Sequence, residues 1–479
     1  MPLMTGKEYV ESIKKTGARA RILGKEEADP TSHPVAAPSL AAVAVTYDGA
    51  HHESTRELFT AKSILTGHRV NRFAHLHASA DDLVRKVEMQ RYCGRKTGCC
   101  FQRCVGMDGA NAVFSTTFDC DEARGTDYHQ RFRAWWAGIQ ENDFTVDGAM
   151  TDPKGDRSLR PGQQPDPDVY VHVTDRRDGG VIVRGAKIHQ TGMLNSHEIL
   201  VMPTMAMREG EEAFAVCFAL PVNAPGVRHF YGRQTSDTRR VEACPADAGN
   251  PSFGGQEIMT VFEDVFVPTE RIFLDGETEF SGPLVERFAG YHRQSYGGCK
   301  TGVGDLLIGA AALIARMNGV DRASHIRDKL VEMVHLNETL FACGIACSAR
   351  GFERPAGNWE IDQLLANVCK QNVTRFPFEI ARLAVDIAGG LLGTLPPASD
   401  LEDPEAGPYL RKYLAAAVPA EPRIKVLRLI ENLVAGAGAV GYLIESMHGA
   451  GPPQAQRVMI ARQADLEGKM ALVKGLLGI

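Results

Sequence analysis

The chain has 479 residues and a formal net charge of −6, with 44% hydrophobic and 23% charged residues. That length requires several structural units, and the balance excludes a disordered chain. Acidic and basic residues are interspersed, which excludes a nucleic-acid-binding stripe.

Residues 1 to about 145 read mainly as helix. Residues 80–90 carry apolar side chains at helical spacing, with acids early and bases later, the order that suits a helix dipole. From about 150 to 275 the pattern turns to strands. Residues 168–173 alternate, Asp178, Gly179 and Gly180 turn the chain, and residues 181–185 return, which predicts a hairpin. Further strands fit 199–202, 213–220 and 258–267, with Pro203, Pro221 and Pro225 between them. From about 276 the chain is helical again. Residues 306–315 are apolar nearly all round, which predicts a buried helix, and three more long helices fit 322–350, 360–392 and 422–445. The proline- and acid-rich stretch 394–408 reads as an exposed connection. No apolar run reads as long enough to span a membrane, and the first residues lack the layout of a signal peptide.

The whole reads as α+β: an N-terminal helical domain (1–145), a middle β-barrel-like domain (146–275) and a C-terminal helical bundle (276–479). That order resembles the acyl-CoA dehydrogenase architecture.

There are 11 cysteines, an odd number without the spacing of a disulfide scaffold. Cys217, Cys343, Cys347 and Cys369 lie in apolar runs and read as buried, reduced core residues. A reducing cytoplasm is the expected home. Cys100 and Cys104 are four apart, and on a helix that spacing places two thiols on one face. Far along the chain, His292, Tyr296, Cys299 and Lys300 bring an imidazole, a phenol, a thiol and an ammonium together. Between them Gly297 and Gly298 either break a helix or admit a close neighbour. Three thiols and one imidazole make a ligand set for an iron–sulfur cluster, and a histidine-ligated iron can polarise a substrate oxygen. Structural zinc suits the same donors, and plain core cysteines are the third reading. Residues 150–157 offer Lys154 and Arg157 around Gly155, a loop able to hold a pyrophosphate or simply to be solvated. It is neither a Rossmann fingerprint nor a P-loop.

Taken together, residues 100–108, 147–157, 189–192, 254–257, 288–300 and 445–451 resemble the 4-hydroxybutyryl-CoA dehydratase family. The resemblance runs from the first helix to the last. It implies a homotetramer, a dimer of dimers, with FAD and one [4Fe-4S] cluster per subunit. It implies Cys100, Cys104, Cys299 and His292 as cluster ligands. Glu257, Glu445, Tyr296, Lys300 and Gln102, with His292, would line the reacting pocket. Flavin contacts would come from Met150, Thr151, Asp152, Lys154 and Arg157, from His189, Thr191 and Gly192, and from Gly449 and Ala450. The implied reaction is dehydration of a CoA thioester by a flavin radical mechanism, with vinylacetyl-CoA Δ-isomerisation on the same groups. One departure is Pro452, where the family commonly has serine. A flavin-dependent aromatic monooxygenase of the 4-hydroxyphenylacetate 3-hydroxylase type is the alternative, and a zinc-holding, non-catalytic protein is another.

Overall fold

The computed structural model describes residues 3–242 and 244–479. The helix Ala80–Thr97 starts on Ser79, whose hydroxyl accepts the Asp82 N–H, and stops at Gly98 in the left-handed region (φ +61°). Two more helices follow, Cys104–Arg124 and Tyr128–Asn142. Phe132 and Trp136 of the latter are buried against the strands that come next.

Two sheets form the middle of the molecule. The six-stranded sheet runs in the order Lys25–Glu27, Ala20–Ile22, Val227–Tyr231, Glu257–Pro268, Gly180–Thr191, His172–Arg177. The four-stranded sheet runs Ile272–Asp275, Val216–Pro221, Glu198–Val201, Val146–Ala149. The expected hairpin is present, with Arg177 paired to Gly180 and Gly179 at φ +80° in its turn. The two sheets share one core, where the Phe218 and Phe262 rings meet edge to face at 6.2 Å. They are two open sheets facing each other rather than a single barrel-like sheet. Residues 20–27, from the helical N-terminal part, extend the larger one.

The helix Thr278–Met317 is the spine, packed against Ala80–Thr97, Cys104–Arg124 and Ser324–Ala349. Gly297 and Gly298 do not break it. A Cβ on Gly298 would stand 2.4 Å from the Val87 carbonyl oxygen, and one on Gly302 would stand 2.3 Å from that of Arg91. The glycines therefore allow backbone-to-backbone approach. Residues 306–315 are not buried all round, since Leu313 is 43% exposed. Thr278–Met317 and Ser324–Ala349 are long and apolar enough to cross a membrane by length and composition, contrary to the sequence expectation. In the former, 67% of the most apolar stretch is buried inside the protein.

The span 360–392 divides into Gln363–Val373 and Phe376–Ala388, because Arg375 leaves helical geometry just before the Pro377 turn. The span 422–445 divides as well. Ala420–Val434 ends before glycines 436 and 438, and a π-turn, Val440–Ile444, leads into Glu445–His448.

Candidate active site

Cys104 opens its helix, but Cys100 lies before it. The two are not on one helical face. Gly98 ends the preceding helix and Gln102 sits at φ +69°, so the chain between them is a tight loop. The loop still brings the thiols together. Cys100 and Cys104 lie close enough to each other, to Cys299 and to Glu445 for their charges to repel. His292, Tyr296 and Cys299 share one face of the spine at spacings of four and seven. The His292 and Tyr296 rings meet at 5.1 Å.

Burial raises all three thiols well above their ordinary range, Cys299 to about 11, and neighbouring negative charge adds to the rise for Cys100 and Cys104. Thiolates in this pocket need a cation. Behind His292, Asp108 is completely buried. Its Oδ2 is 2.8 Å from His292 Nδ1 and accepts the Ser295 hydroxyl at 2.9 Å, while its Oδ1 accepts Lys86 Nζ at 2.5 Å. Despite burial, Lys86 and His292 hold the Asp108 carboxyl below its usual pKa. An ionised carboxylate only accepts, so Nδ1 carries the proton and Nε2 is the free nitrogen. This is the backing that a metal-binding imidazole ordinarily has.

Glu257 and Glu445 face each other. Burial, and then the Glu445 charge, push the Glu257 carboxyl well above its usual pKa, while the Thr191 hydroxyl donates to it at 2.8 Å. Glu445 Oε2 accepts Lys300 Nζ at 2.5 Å, and its buried Oε1 has no donor beyond what Glu257 can share. Lys300 also reaches the Gly441 carbonyl at 2.5 Å and lies 4.8 Å from the Tyr296 ring centroid.

Gln102 hydrogen-bonds to neither of these acids. Its amide donates to the Cys100, Ser39 and Gly254 carbonyls and accepts from Asn195 at 2.6 Å, tying the cysteine loop to Gly192.

Three loops meet beside the acids. Burial and the charges of Lys154 and His448 lower the His189 pKa, which places segments 150–157, 189–192 and 448–451 together. They contain six left-handed positions: Lys154, Gly155, His189, Gly192, Ala450 and Gly451. Strained backbone of this kind gathers at ligand sites and turns N–H groups outward. Asp152 is held inside the fold, accepting Lys187 at 2.8 Å and the Val171 N–H at 3.0 Å. The Met150 carbonyl also takes Lys187, and that of Thr151 takes the Ile188 N–H. Arg157 is exposed and Lys154 is half-buried. Gly449 lies against the Tyr296 hydroxyl, and the Ala450 carbonyl accepts Arg293 Nε at 3.1 Å.

Among the described residues no three His, Cys, Asp or Glu side chains converge on one ion-sized point. A tetrahedral zinc site with bonds of about 2.0–2.3 Å requires that. A cluster spreads its thiolates over separate irons, so its ligands stand apart. The donor chemistry, the elevated thiols and the backed imidazole fit such a group.

Asp108, Lys86 and Lys370 were not singled out from the sequence. A usable signal existed. Lys86 interrupts the buried stripe of Leu83, Val87 and Gln90, and Lys370 that of Ala366, Cys369 and Val373. Asp108 lies one helical turn after Cys104.

Two family models match the chain: 4-hydroxyphenylacetate 3-hydroxylase N terminal over residues 5–274 and 4-hydroxyphenylacetate 3-hydroxylase C terminal over 281–478. The chain is 55% identical to the 4-hydroxybutyryl-CoA dehydratase/vinylacetyl-CoA-Δ-isomerase of Clostridium aminobutyricum, across 100% of both chains. Its structure is similar to that of an oxygen-tolerant archaeal 4-hydroxybutyryl-CoA dehydratase from N. maritimus, with a TM-score of 0.98 at 52% identity, covering 100% of this chain and 95% of that one. The oxygenase component of 4-hydroxyphenylacetate 3-monooxygenase complexed with FAD shares the fold, with a TM-score of 0.86 at 24% identity, covering 99% and 98%.

Proposed function

The chain belongs to the family of 4-hydroxybutyryl-CoA dehydratase/vinylacetyl-CoA-Δ-isomerase, and we propose that it catalyses both reactions: water is removed from 4-hydroxybutyryl-CoA to give crotonyl-CoA, and the double bond of vinylacetyl-CoA is moved. What carries this reading is the 55% identity along the whole chain. The aromatic-hydroxylase alternative rests on the two family models and on relatives of about half that identity.

A 4-hydroxyacyl thioester is an awkward substrate. The thioester acidifies the hydrogen at C2, the leaving hydroxyl is at C4, and the hydrogen at C3 is unactivated. An acid–base pair alone does not suffice. Cys100, Cys104, Cys299 and His292 would hold a [4Fe-4S] cluster. Segments 150–157 and 189–192 with Gly449 and Ala450 would hold FAD. When bound there, the two groups supply one-electron chemistry and a Lewis-acidic iron.

His292 Nε2, oriented by Asp108 behind the ring, is the candidate base for the C2 proton once it is released from its role as a ligand. Glu257, whose carboxyl burial and the Glu445 charge hold towards its protonated form, can pass a proton to the departing hydroxyl or between carbons, with Glu445 beside it. Lys300 holds the Glu445 carboxylate, and the Tyr296 ring lies beneath Lys300. The three-part division at 145 and 275, on the acyl-CoA dehydrogenase plan, belongs to the same reading, as do the homotetramer and a cytoplasmic setting.

Protein purified without oxygen should contain FAD, iron and acid-labile sulfide, should lack zinc, and should convert 4-hydroxybutyryl-CoA to crotonyl-CoA. A colourless zinc protein, or one that hydroxylates 4-hydroxyphenylacetate and leaves the thioester untouched, would sink the proposal.

A further inference from the structure

Lys370, on the helix Gln363–Val373, is a second buried lysine in the site. Its Nζ donates to two backbone carbonyls, Glu445 at 3.2 Å and Ser446 at 2.5 Å, and to no carboxylate. It also lies 4.3 Å from the centroid of the Tyr296 ring, the ring on which Lys300 rests at 4.8 Å. The two lysines thus grip one short piece of chain. Lys300 takes the Gly441 carbonyl and the Glu445 side chain, and Lys370 takes the Glu445 backbone and the residue after it.

The gripped piece departs from regular helix. Val440–Ile444 is a π-turn, a backbone form that collects at functional sites, inside a short helical run from 438 to 448. Glu445–His448 is the last turn of that run. Burying a lysine amine away from any carboxylate partner is costly, and burial with the charges of Lys300 and Arg293 lowers its pKa well below the ordinary lysine value. The amine lies beside the buried Ala366, Asn367, Cys369 and Val373 of its helix and against the face of the Tyr296 ring.

We infer that Lys370 is a positioning residue, whose hydrogen bonds to the Glu445 and Ser446 carbonyls hold the Glu445 carboxyl group against Glu257. The inference rests on the reading of Glu257 and Glu445 as the proton-carrying pair. Both lysines lie over the Tyr296 ring, and Gly449 fits against the Tyr296 hydroxyl where a larger residue would not.

A double-mutant cycle tests this. Lys370→Met should keep FAD and the fold, leave KM for 4-hydroxybutyryl-CoA within about twofold, and lower kcat about 10²-fold, the loss expected when a reacting group is displaced by an ångström. In a Glu445→Gln background the same change should cost no more than about twofold, because the group it positions is already gone. A purely structural role would cost the same factor in both backgrounds, and that additivity would overturn the inference. If Lys370→Met does not fold, Lys370→Ala, which also removes the donor, carries the same cycle. A crystal structure of the variant gives a readout independent of turnover. It should show the segment 445–450 shifted from Tyr296, and an unmoved Glu445 carboxyl group would overturn the inference whatever the enzyme's substrate. A wild-type protein inactive on the thioester, with Glu445 displaced in the variant, would instead sink the functional reading and leave this one standing.

Discussion

Glu257 and Glu445 are two carboxyl groups in one buried place, and that decides their chemistry. Side by side they resist ionising together, so Glu257 holds its proton to a higher pH than a lone carboxyl group would. Glu257 has the raised pKa, which means its proton leaves only as pH climbs through that raised value. Turnover should therefore fall on the alkaline side, and the pH–rate profile of the wild type should show that limb. Glu257→Gln and Glu445→Gln should retain FAD and iron while losing about 10²–10⁴ in turnover, the worth of a general acid–base group. The residual activity of Glu257→Gln should lack the alkaline limb. Near-normal turnover in both variants would reduce them to partners of Thr191 and Lys300. At this scale the sequence was readable where residue type alone carries the chemistry. Cysteine beside histidine, tyrosine and lysine stands out in any chain. Lys86, Asp108 and Lys370 did not stand out, because a charged residue inside an apolar stripe reads as an irregular helix until its partner from another helix is known.

At the level of elements, the 172–191 hairpin was legible because alternation and a glycine turn are local signals. The cysteine loop was not. A spacing of four fits a helical face, and only the left-handed Gln102 and the Gly98 stop, set by contacts to Ser39, Gly254 and Asn195, convert it to a loop. The divided helices are a similar case, where a proline or a pair of glycines outweighed an apolar pattern that ran straight through. Gly297 and Gly298 left two outcomes open, and packing selected close approach. That choice makes a prediction. Gly298→Ala would place a methyl group 2.4 Å from the Val87 carbonyl oxygen, so the two helices must part. Overpacking of a core commonly costs about 1–3 kcal/mol. Urea unfolding should show a loss of that size, accompanied by reduced iron content, since Cys299 and Lys300 follow directly. Unchanged stability would mean that the crossing is looser than its backbone contacts indicate.

On the scale of the whole molecule, the C-terminal helix Leu466–Leu477 is out of keeping with the rest. It buries no residue in its own chain, and Leu472 is 75% and Leu476 85% exposed. Met470 and Val473 lie exposed beside them. One chain with such a helix exposes an apolar surface that a monomer ordinarily covers. The proposed homotetramer covers it by symmetry, with the same helix used once per subunit. The sequence did not single this helix out, because which helix lacks a partner depends on how the others pack. Leu472→Asp together with Leu476→Asp leaves every site residue in place and puts charge where a subunit contact is expected. Light scattering should find the wild type as a tetramer and the double variant as dimers or monomers, with apolar dye binding raised. A tetramer that survives both aspartates would show that the subunits meet elsewhere. A wild-type monomer that carries FAD and turns over substrate would remove the assembly from the proposal altogether, because the flavin loops and the acid pair would then be sufficient within a single chain.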